Sequence, residues 1–382
     1  MKYKDQKITF VVPQLCTGGV EINFLNLANN LIEEFSQIEI LYQQEIDSGN
    51  YRSQFNEKIN FFKLKKFGGI KLISELHEYY DEGKPSIVVV SMYVVAAYML
   101  VARIFSKHKP KIIINGGNHF TSFIQKSKKF KEKYFFPYFA KIIFQHADFF
   151  VSQCNDMTDD ILYSLNLPNE KIKTIYNPVV SEDFDYRKLP HPSHPWFSTN
   201  RSYKILIMAG RLVEQKRVIE FLDIFKELTA QLNLKLIILG EGPLEDAVIN
   251  KINSLKLDNS VNLLPNQKNF LSFIANSDLM VVNSEYEGLN NMIIHALSCG
   301  TSIVSTNCPV GPSEILQNGK FGRLVDISDK NNMKHSIICE LQQPLEEAEN
   351  LVKRSLEFTI NKSSRKYIQL FNILLNQDKK KV

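Results

Sequence analysis

Strand-like apolar runs alternate with helix-length amphipathic segments along most of the chain, the pattern of parallel sheets covered by helices. The first half predicts strands at 7–12, 38–42, 59–64, 87–90, 111–114 and 149–152, with helical stretches between most of them. Near Leu189 the alternation stops in PHPSHPWFSTNRS, where Pro190, Pro192 and Pro195 fit no regular element. It then restarts, with strands at 204–209, 235–239, 261–264, 279–283, 302–306 and 322–325 and helices at 218–232, 244–255 and from Asn291. From about Asp329 the chain reads as helices alone. The expectation is an α/β protein of two doubly wound domains, 1–190 and 191–360, with a terminal helix in 361–382 that packs back on the first domain.

One run departs from the alternation. Residues 87–102, IVVVSMYVVAAYMLVA, carry no charge and approach the length of a membrane span. The β-branched start and the helix-suited remainder predict instead a buried strand feeding a buried helix.

Composition narrows the class. The chain has 382 residues, 44% hydrophobic and 23% charged, ample apolar material for two cores. Its five cysteines, Cys16, Cys154, Cys299, Cys308 and Cys339, are scattered and show no metal-ligand spacing, which points to a reducing compartment and no structural zinc. The start MKYKDQKITF puts charges where a signal peptide needs its apolar core, so a cytoplasmic location is expected. A net charge of only +5 without a nucleic-acid module argues against nucleic acid as a partner.

Doubly wound sheets bind ligands in loops at the carboxyl ends of their strands, in a cleft where two such domains face each other. Three of those loops are chemically unusual. After the first strand, Cys16-Thr17-Gly18-Gly19-Val20-Glu21 leads into a helix; its glycines either make a tight turn or let a phosphate or sugar approach helix-terminal N–H groups. After strand 204–209, Gly210-Arg211-Leu212-Val213-Glu214-Gln215-Lys216-Arg217 sets three cations against one acid, either as a solvated basic loop or to neutralise a departing diphosphate. After strand 279–283, Asn283-Ser284-Glu285-Tyr286-Glu287-Gly288-Leu289-Asn290-Asn291 gathers carboxylate, glycine and amides at a helix N-terminus, where Asn290 or Asn291 could also act as a cap.

In GRLVEQK, LGEGPLED, NSEYEGLNNMIIHAL and CGTSIVSTNCPVGPSEIL, together with GGVE after the first strand, the chain resembles glycosyltransferase family 4, retaining enzymes of the GT-B fold. The match is closest over 204–324. The resemblance implies that Arg211 and Lys216 bind the donor diphosphate and that Glu287 holds hydroxyls of the transferred sugar. Gly288 and Leu289 would offer backbone N–H groups to phosphate, with Gly210, Glu241 and Asn290 also at the donor. Gly18 and Gly19 match the loop that closes over the donor, and His119, in Gly116-Gly117-Asn118-His119, corresponds either to a family histidine beside the sugar or to a surface imidazole. The family's second glutamate, eight positions after the first, is here His295; a neutral imidazole offers one acceptor nitrogen to the ribose, a loss of about 1–3 kcal/mol against a carboxylate.

The resemblance further implies a donor that is a nucleotide-diphosphate sugar, a UDP-sugar by preference, and a catalyst without metal or other cofactor. The acceptor hydroxyl would attack from the face that the diphosphate leaves, and the leaving oxygen would take its proton. The acceptor expected is a lipid-linked glycan of capsule, O-antigen or lipopolysaccharide assembly. One feature of the first half bears on this: Lys126, Lys128, Lys129, Lys131 and Lys133 cluster beside Phe123, Phe130, Tyr134, Phe135 and Phe136. Such a run suits an anionic inner-membrane surface, or is an ordinary helix whose aromatics face the core. Two other readings fit the same architecture, a nucleotide-sugar epimerase and a non-catalytic binding subunit.

Overall fold

The computed structural model describes residues 3, 5–16, 18–46, 51–117, 119–126 and 133–377. Its chain divides into two compact units, 1–179 with 358–382, and 180–357. Each holds one sheet in which every pairing is parallel.

The first sheet contains β1 (Lys7–Leu15), β2 (Gln37–Glu45), β3 (Asn60–Lys63), β4 (Ile87–Val90), β5 (Lys111–Asn115), β6 (Phe149–Ser152) and β7 (Ile172–Thr174), in the order β3-β2-β1-β4-β5-β6-β7. The second contains β8 (Lys204–Ala209), β9 (Leu234–Leu239), β10 (Val261–Leu264), β11 (Leu279–Val282), β12 (Ile303–Thr306) and β13 (Arg323–Val325), in the order β10-β9-β8-β11-β12-β13. Both follow the doubly wound 3-2-1-4 scheme, so strand order reverses between β1 and β4 and again between β8 and β11. Connections leaving neighbouring strands at such a point go to opposite faces of the sheet, which opens a crevice at the strands' carboxyl ends.

The central strands are buried on both faces, which is why they read as unbroken apolar runs: all four residues of β4 and of β11 are buried. The uncharged run at 87–102 is β4 followed by helix Tyr93–Phe105, and among the described residues no helix is long and apolar enough to cross a membrane. Sequence reasoning missed β7, a three-residue strand at the sheet margin, and placed the end of the helix that starts at Val218 four residues late, since it stops at Leu228.

The domain boundary expected at 190/191 lies eleven residues earlier, between Val179 and Val180. The proline-rich run is part of the second unit because its apolar members pack there. Phe197 is 3% exposed, with its ring 5.4 Å from Phe273, and His194 Nε2 lies 3.1 Å from Asn262 Nδ2. Prolines forbid regular structure without forbidding burial. The chain returns to the first unit at Phe358, whose carbonyl accepts from Val179 N–H at 3.1 Å. Helix Ile360–Gln377 then adds Tyr367, Leu370, Phe371 and Leu374 to the core around Phe10, Phe24 and Ile40, each such burial stabilising by about 1.5–3 kcal/mol.

Candidate active site

The reversal between β8 and β11 places two of the three unusual loops side by side. Glycines fix the first. Gly240, after β9, has φ +150°, and a Cβ there would lie 1.9 Å from the carbonyl oxygen of Gly210; a Cβ on Gly242 would lie 2.5 Å from that of Leu212. Only hydrogen fits between these backbones, so the loop after β8 is braced against the loop after β9.

Bracing directs Lys216 across to β11. Its Nζ lies 2.5 Å from Glu287 Oε1, an oxygen that also accepts from Ser284 Oγ at 2.5 Å and from Asn290 Nδ2 at 2.9 Å. Glu287 Oε2 takes no hydrogen bond among the described residues. Asn290 caps helix Asn291–Ser298 as well, accepting from Met292 N–H at 2.9 Å and Ile293 N–H at 3.4 Å. Gln215 ties the two loops together, its Nε2 donating to the Tyr286 carbonyl at 2.6 Å and its own carbonyl accepting from Glu285 N–H at 2.8 Å.

Gly288 and Leu289 are buried, yet their amide N–H groups bond to nothing among the described residues. Buried amides are nearly always paired, so two open ones beside a helix N-terminus mark a place for an anion. The loop after β12 packs against the carbonyl of Gly288. Gly311 there has φ +99°, and a Cβ would meet the Gly288 carbonyl oxygen at 2.3 Å. Burial, with the charge of Glu287 adding to it, pushes the Cys308 thiol up to about 12, so it stays protonated.

The remaining second-unit residues are less tightly held. Arg211 is exposed and has no partner for its guanidinium among the described residues. Glu241 lies outside the Lys216–Glu287 group, its carboxylate accepting from Asn266 N–H at 3.3 Å and Nδ2 at 3.5 Å. The rings of His295 and Phe270 meet edge to face, centroids 5.1 Å apart, and burial pushes the His295 pKa down to about 4, which keeps the imidazole neutral.

Gly18, Gly19 and His119 belong to the first unit. Thr17 and Asn118, beside them, lie outside the described residues. A Cβ on Gly18 would clash with the folded-back Glu21 carboxylate, at 2.3 Å, and one on Gly19 meets no described atom within 4 Å. Burial raises the Glu21 pKa despite its place in the first turn of a helix. His119 follows β5, with Nε2 3.2 Å from Asp160 Oδ1 and Nδ1 2.6 Å from Ser122 Oγ and 3.3 Å from Ser122 N. Asp160 fixes the tautomer: Nε2–H donates to the carboxylate and Nδ1 accepts from Ser122. Burial would raise the Asp160 pKa, but hydrogen bonds from His119 and Thr121 outweigh it and hold the carboxyl below its usual range.

Sequence reasoning named Lys216, Glu287 and Asn290 without their mutual contacts. It missed Ser284, Gln215, Gly240 and Gly311 as structural partners. Ser284 and Gln215 stand inside motifs already singled out, and the glycines could have been found by asking why the loops after β8, β9, β11 and β12 each carry one.

The sheet order and the charged switch-point loop define a GT-B architecture, and comparison with known proteins makes the class specific. A model of glycosyl transferases group 1 matches residues 195–358, and one of glycosyltransferase family 4 matches 17–183. The chain belongs to the family 4 glycosyltransferases.

Among curated relatives, the N-acetylgalactosamine-N,N'-diacetylbacillosaminyl-diphospho-undecaprenol 4-alpha-N-acetylgalactosaminyltransferase of Campylobacter jejuni is 25% identical over 243 residues, 61% of this chain and 61% of that one. The N-acetyl-alpha-D-glucosaminyl L-malate synthase of Bacillus anthracis is 26% identical over 222 residues, 57% of this chain and 58% of the other. The chain thus spans about three fifths of the length of these relatives. Among solved structures, Anabaena HepE in complex with UDP-glucose superposes with a TM-score of 0.75 at 15% identity, over 96% of this chain and 99% of that one, a likeness of fold.

Proposed function

We propose that the protein transfers a sugar, with retention of configuration and without a metal, from a UDP-sugar to a lipid-linked glycan acceptor in bacterial surface-polysaccharide assembly. One observation carries the reading: two buried amides unbonded among the described residues, Gly288 and Leu289, sit beside a carboxylate whose one oxygen takes three donors there and the other none. The amides suit a phosphate, and Glu287 Oε2 suits a sugar hydroxyl. Lys216 stands between the two functions, holding Glu287 in place and offering positive charge to the diphosphate as its bond to the sugar breaks. Exposed Arg211 adds a second cation with its fork of donors still to be used. The leaving diphosphate oxygen then takes the acceptor's proton, so no enzymic base is assigned.

The UDP preference draws support from HepE, whose structure holds UDP-glucose, and the lipid-linked acceptor from the Campylobacter relative, whose name places its acceptor on diphospho-undecaprenol. The test is a calorimetric screen of UDP, GDP, ADP and their sugars in buffer without metal, on the wild type and on Lys216→Ala. UDP binding that weakens at least tenfold in the variant is expected. Binding of no nucleotide would sink the reading and leave a non-catalytic subunit. Turnover of a UDP-sugar without any acceptor would favour an epimerase.

A further inference from the structure

More than half of the exposed large apolar side chains in the described residues fall between Met92 and Ile142, whereas the second unit exposes three, Ile249, Leu345 and Leu356. They concentrate on two helices of the first unit that pack on each other, Tyr93–Phe105 and Phe136–His146. Helix Phe136–His146 is apolar on two faces. Ala140, Ile143 and Phe144 are buried, while Tyr138, Phe139 and Ile142 are 72%, 41% and 41% exposed. On the neighbouring helix Val101, Ile104 and Phe105 are 37%, 69% and 68% exposed, at a spacing of three and four that puts them on one face. A helix covering a core needs one apolar stripe, and a second that stays in water marks an interaction surface.

The aromatics of the basic run divide between these roles. Phe123 and Phe136 face inward, with ring centroids 5.9 Å apart, whereas Tyr134 and Phe135 are exposed. Phe130, Lys128, Lys129 and Lys131 lie outside the described residues. Charge identifies the occupant. Between residues 83 and 147 eleven lysines and arginines stand against one acidic residue, Glu132. Arg103 is spent on Asp148, and Lys109 caps its helix through the carbonyls of Arg103 and Ile104; Lys107 and Lys133 remain exposed and Lys141 half-exposed. A second copy would bring like charges together, and protein interface cores are poor in lysine. An anionic lipid surface takes both the apolar side chains and their cations.

We propose that the exposed faces of helices Tyr93–Phe105 and Phe136–His146 dock the protein on an anionic phospholipid bilayer. The inference deepens the proposed function and rests on it only in taking the acceptor to be lipid-held; vesicle binding itself needs no sugar chemistry.

The test is flotation of the full chain with vesicles of phosphatidylcholine alone and of phosphatidylcholine mixed with phosphatidylglycerol, in low and high salt. Expected is binding to the anionic vesicles alone, weakened by salt. Each of Lys133→Gln and Lys141→Gln should weaken it about fivefold, the equivalent of ~1 kcal/mol per cation near the surface. Tyr138→Ser with Ile142→Ser should weaken it at least tenfold while the melting temperature and UDP binding stay at wild-type values, since the buried face of the helix is untouched. No binding to anionic vesicles, or binding that these variants leave unchanged, would overturn the proposal. So would self-association that the serine variants abolish without any vesicle binding. Vesicle binding in a protein that binds no nucleotide would keep the surface and discard the donor reading, so the two can fail separately.

Discussion

The loops after β1 and after β8 occupy the same topological slot in two sheets of the same order, and they are built in opposite ways. After β8 the backbone and one cation are held: Gly240 lies against Gly210, Gly242 against Leu212, and Lys216 is tied to Glu287. After β1 the space beside Gly19 is open, with no described atom within 4 Å of a Cβ there. Charge aimed at a departing diphosphate works best when it is already in place, because moving it during reaction costs the reorganisation that catalysis is meant to avoid. Space left beside a helix N-terminus works best when nothing fills it. The loop after β8 holds its charge fixed, and the loop after β1 leaves room beside Gly19.

The largest effect should come from breaking the brace. In Gly240→Ala the methyl group would sit 1.9 Å from a backbone oxygen at a φ of +150°, where no flexible side chain can give way. A cost of about 3 kcal/mol or more is expected, lowering the melting temperature of the second unit by roughly 6–12 °C. A melting curve within a degree of wild type would mean that the two loops are not packed as described.

Next come the cations, which separate holding from binding. Lys216→Ala leaves Glu287 buried and without its counter-charge, so stability should fall by about 1–3 kcal/mol along with a drop in turnover of more than about tenfold. Arg211→Ala should lower turnover on a similar scale and leave stability within about 0.5 kcal/mol, since the guanidinium is exposed. Equal loss of stability in both variants would contradict the distinct roles assigned here, and unchanged turnover in both would remove the diphosphate assignment.

The same contrast explains what could be read from sequence. β8, β10 and β11 sit where their apolar runs put them to within a residue, because buried parallel strands impose a local composition. The Lys216–Glu287 pair joins residues 71 apart and is invisible to local pattern; only the motif resemblance placed both at one site. Pro192 and Phe197 misled for a physical reason: their sequence signals irregular backbone, whereas the boundary is decided by where their side chains are buried. The helix at 93–105 reads from its uncharged run as buried, yet it exposes Val101, Ile104 and Phe105; in the run at 123–136 composition revealed aromatics and cations and gave no rule for which rings turn outward.

Two histidines, one in each unit, carry the comparison into pH. His119 keeps a carboxylate, Asp160, whereas His295 has the ring of Phe270. In the unfolded chain His295 titrates near the ordinary 6.5 and in the folded one near about 4. Between those values the unfolded state takes up a proton that the folded state refuses, so stability falls as pH drops from about 6.5 toward 4. The loss reaches up to about 2 kcal/mol at pH 5, at ~1.4 kcal/mol per pH unit. His194, which burial also pushes down, contributes in the same direction, so the readout is the difference between wild type and His295→Phe in denaturant melts at pH 7 and 5. A variant whose acid sensitivity matches wild type would place His295 in water.

The smallest effect on folding is the most informative about ligand. Gly19 is the first residue of helix Gly19–Leu31, its added methyl would touch nothing, and alanine is the better helix former by up to about 1 kcal/mol. Gly19→Ala should therefore melt at or slightly above the wild-type temperature. If the open space after β1 receives the donor, the same methyl group will stand in its way, and the variant will fold at least as well while KM for the donor rises. Unchanged KM in a normally folded variant would mean that the opening serves only the turn.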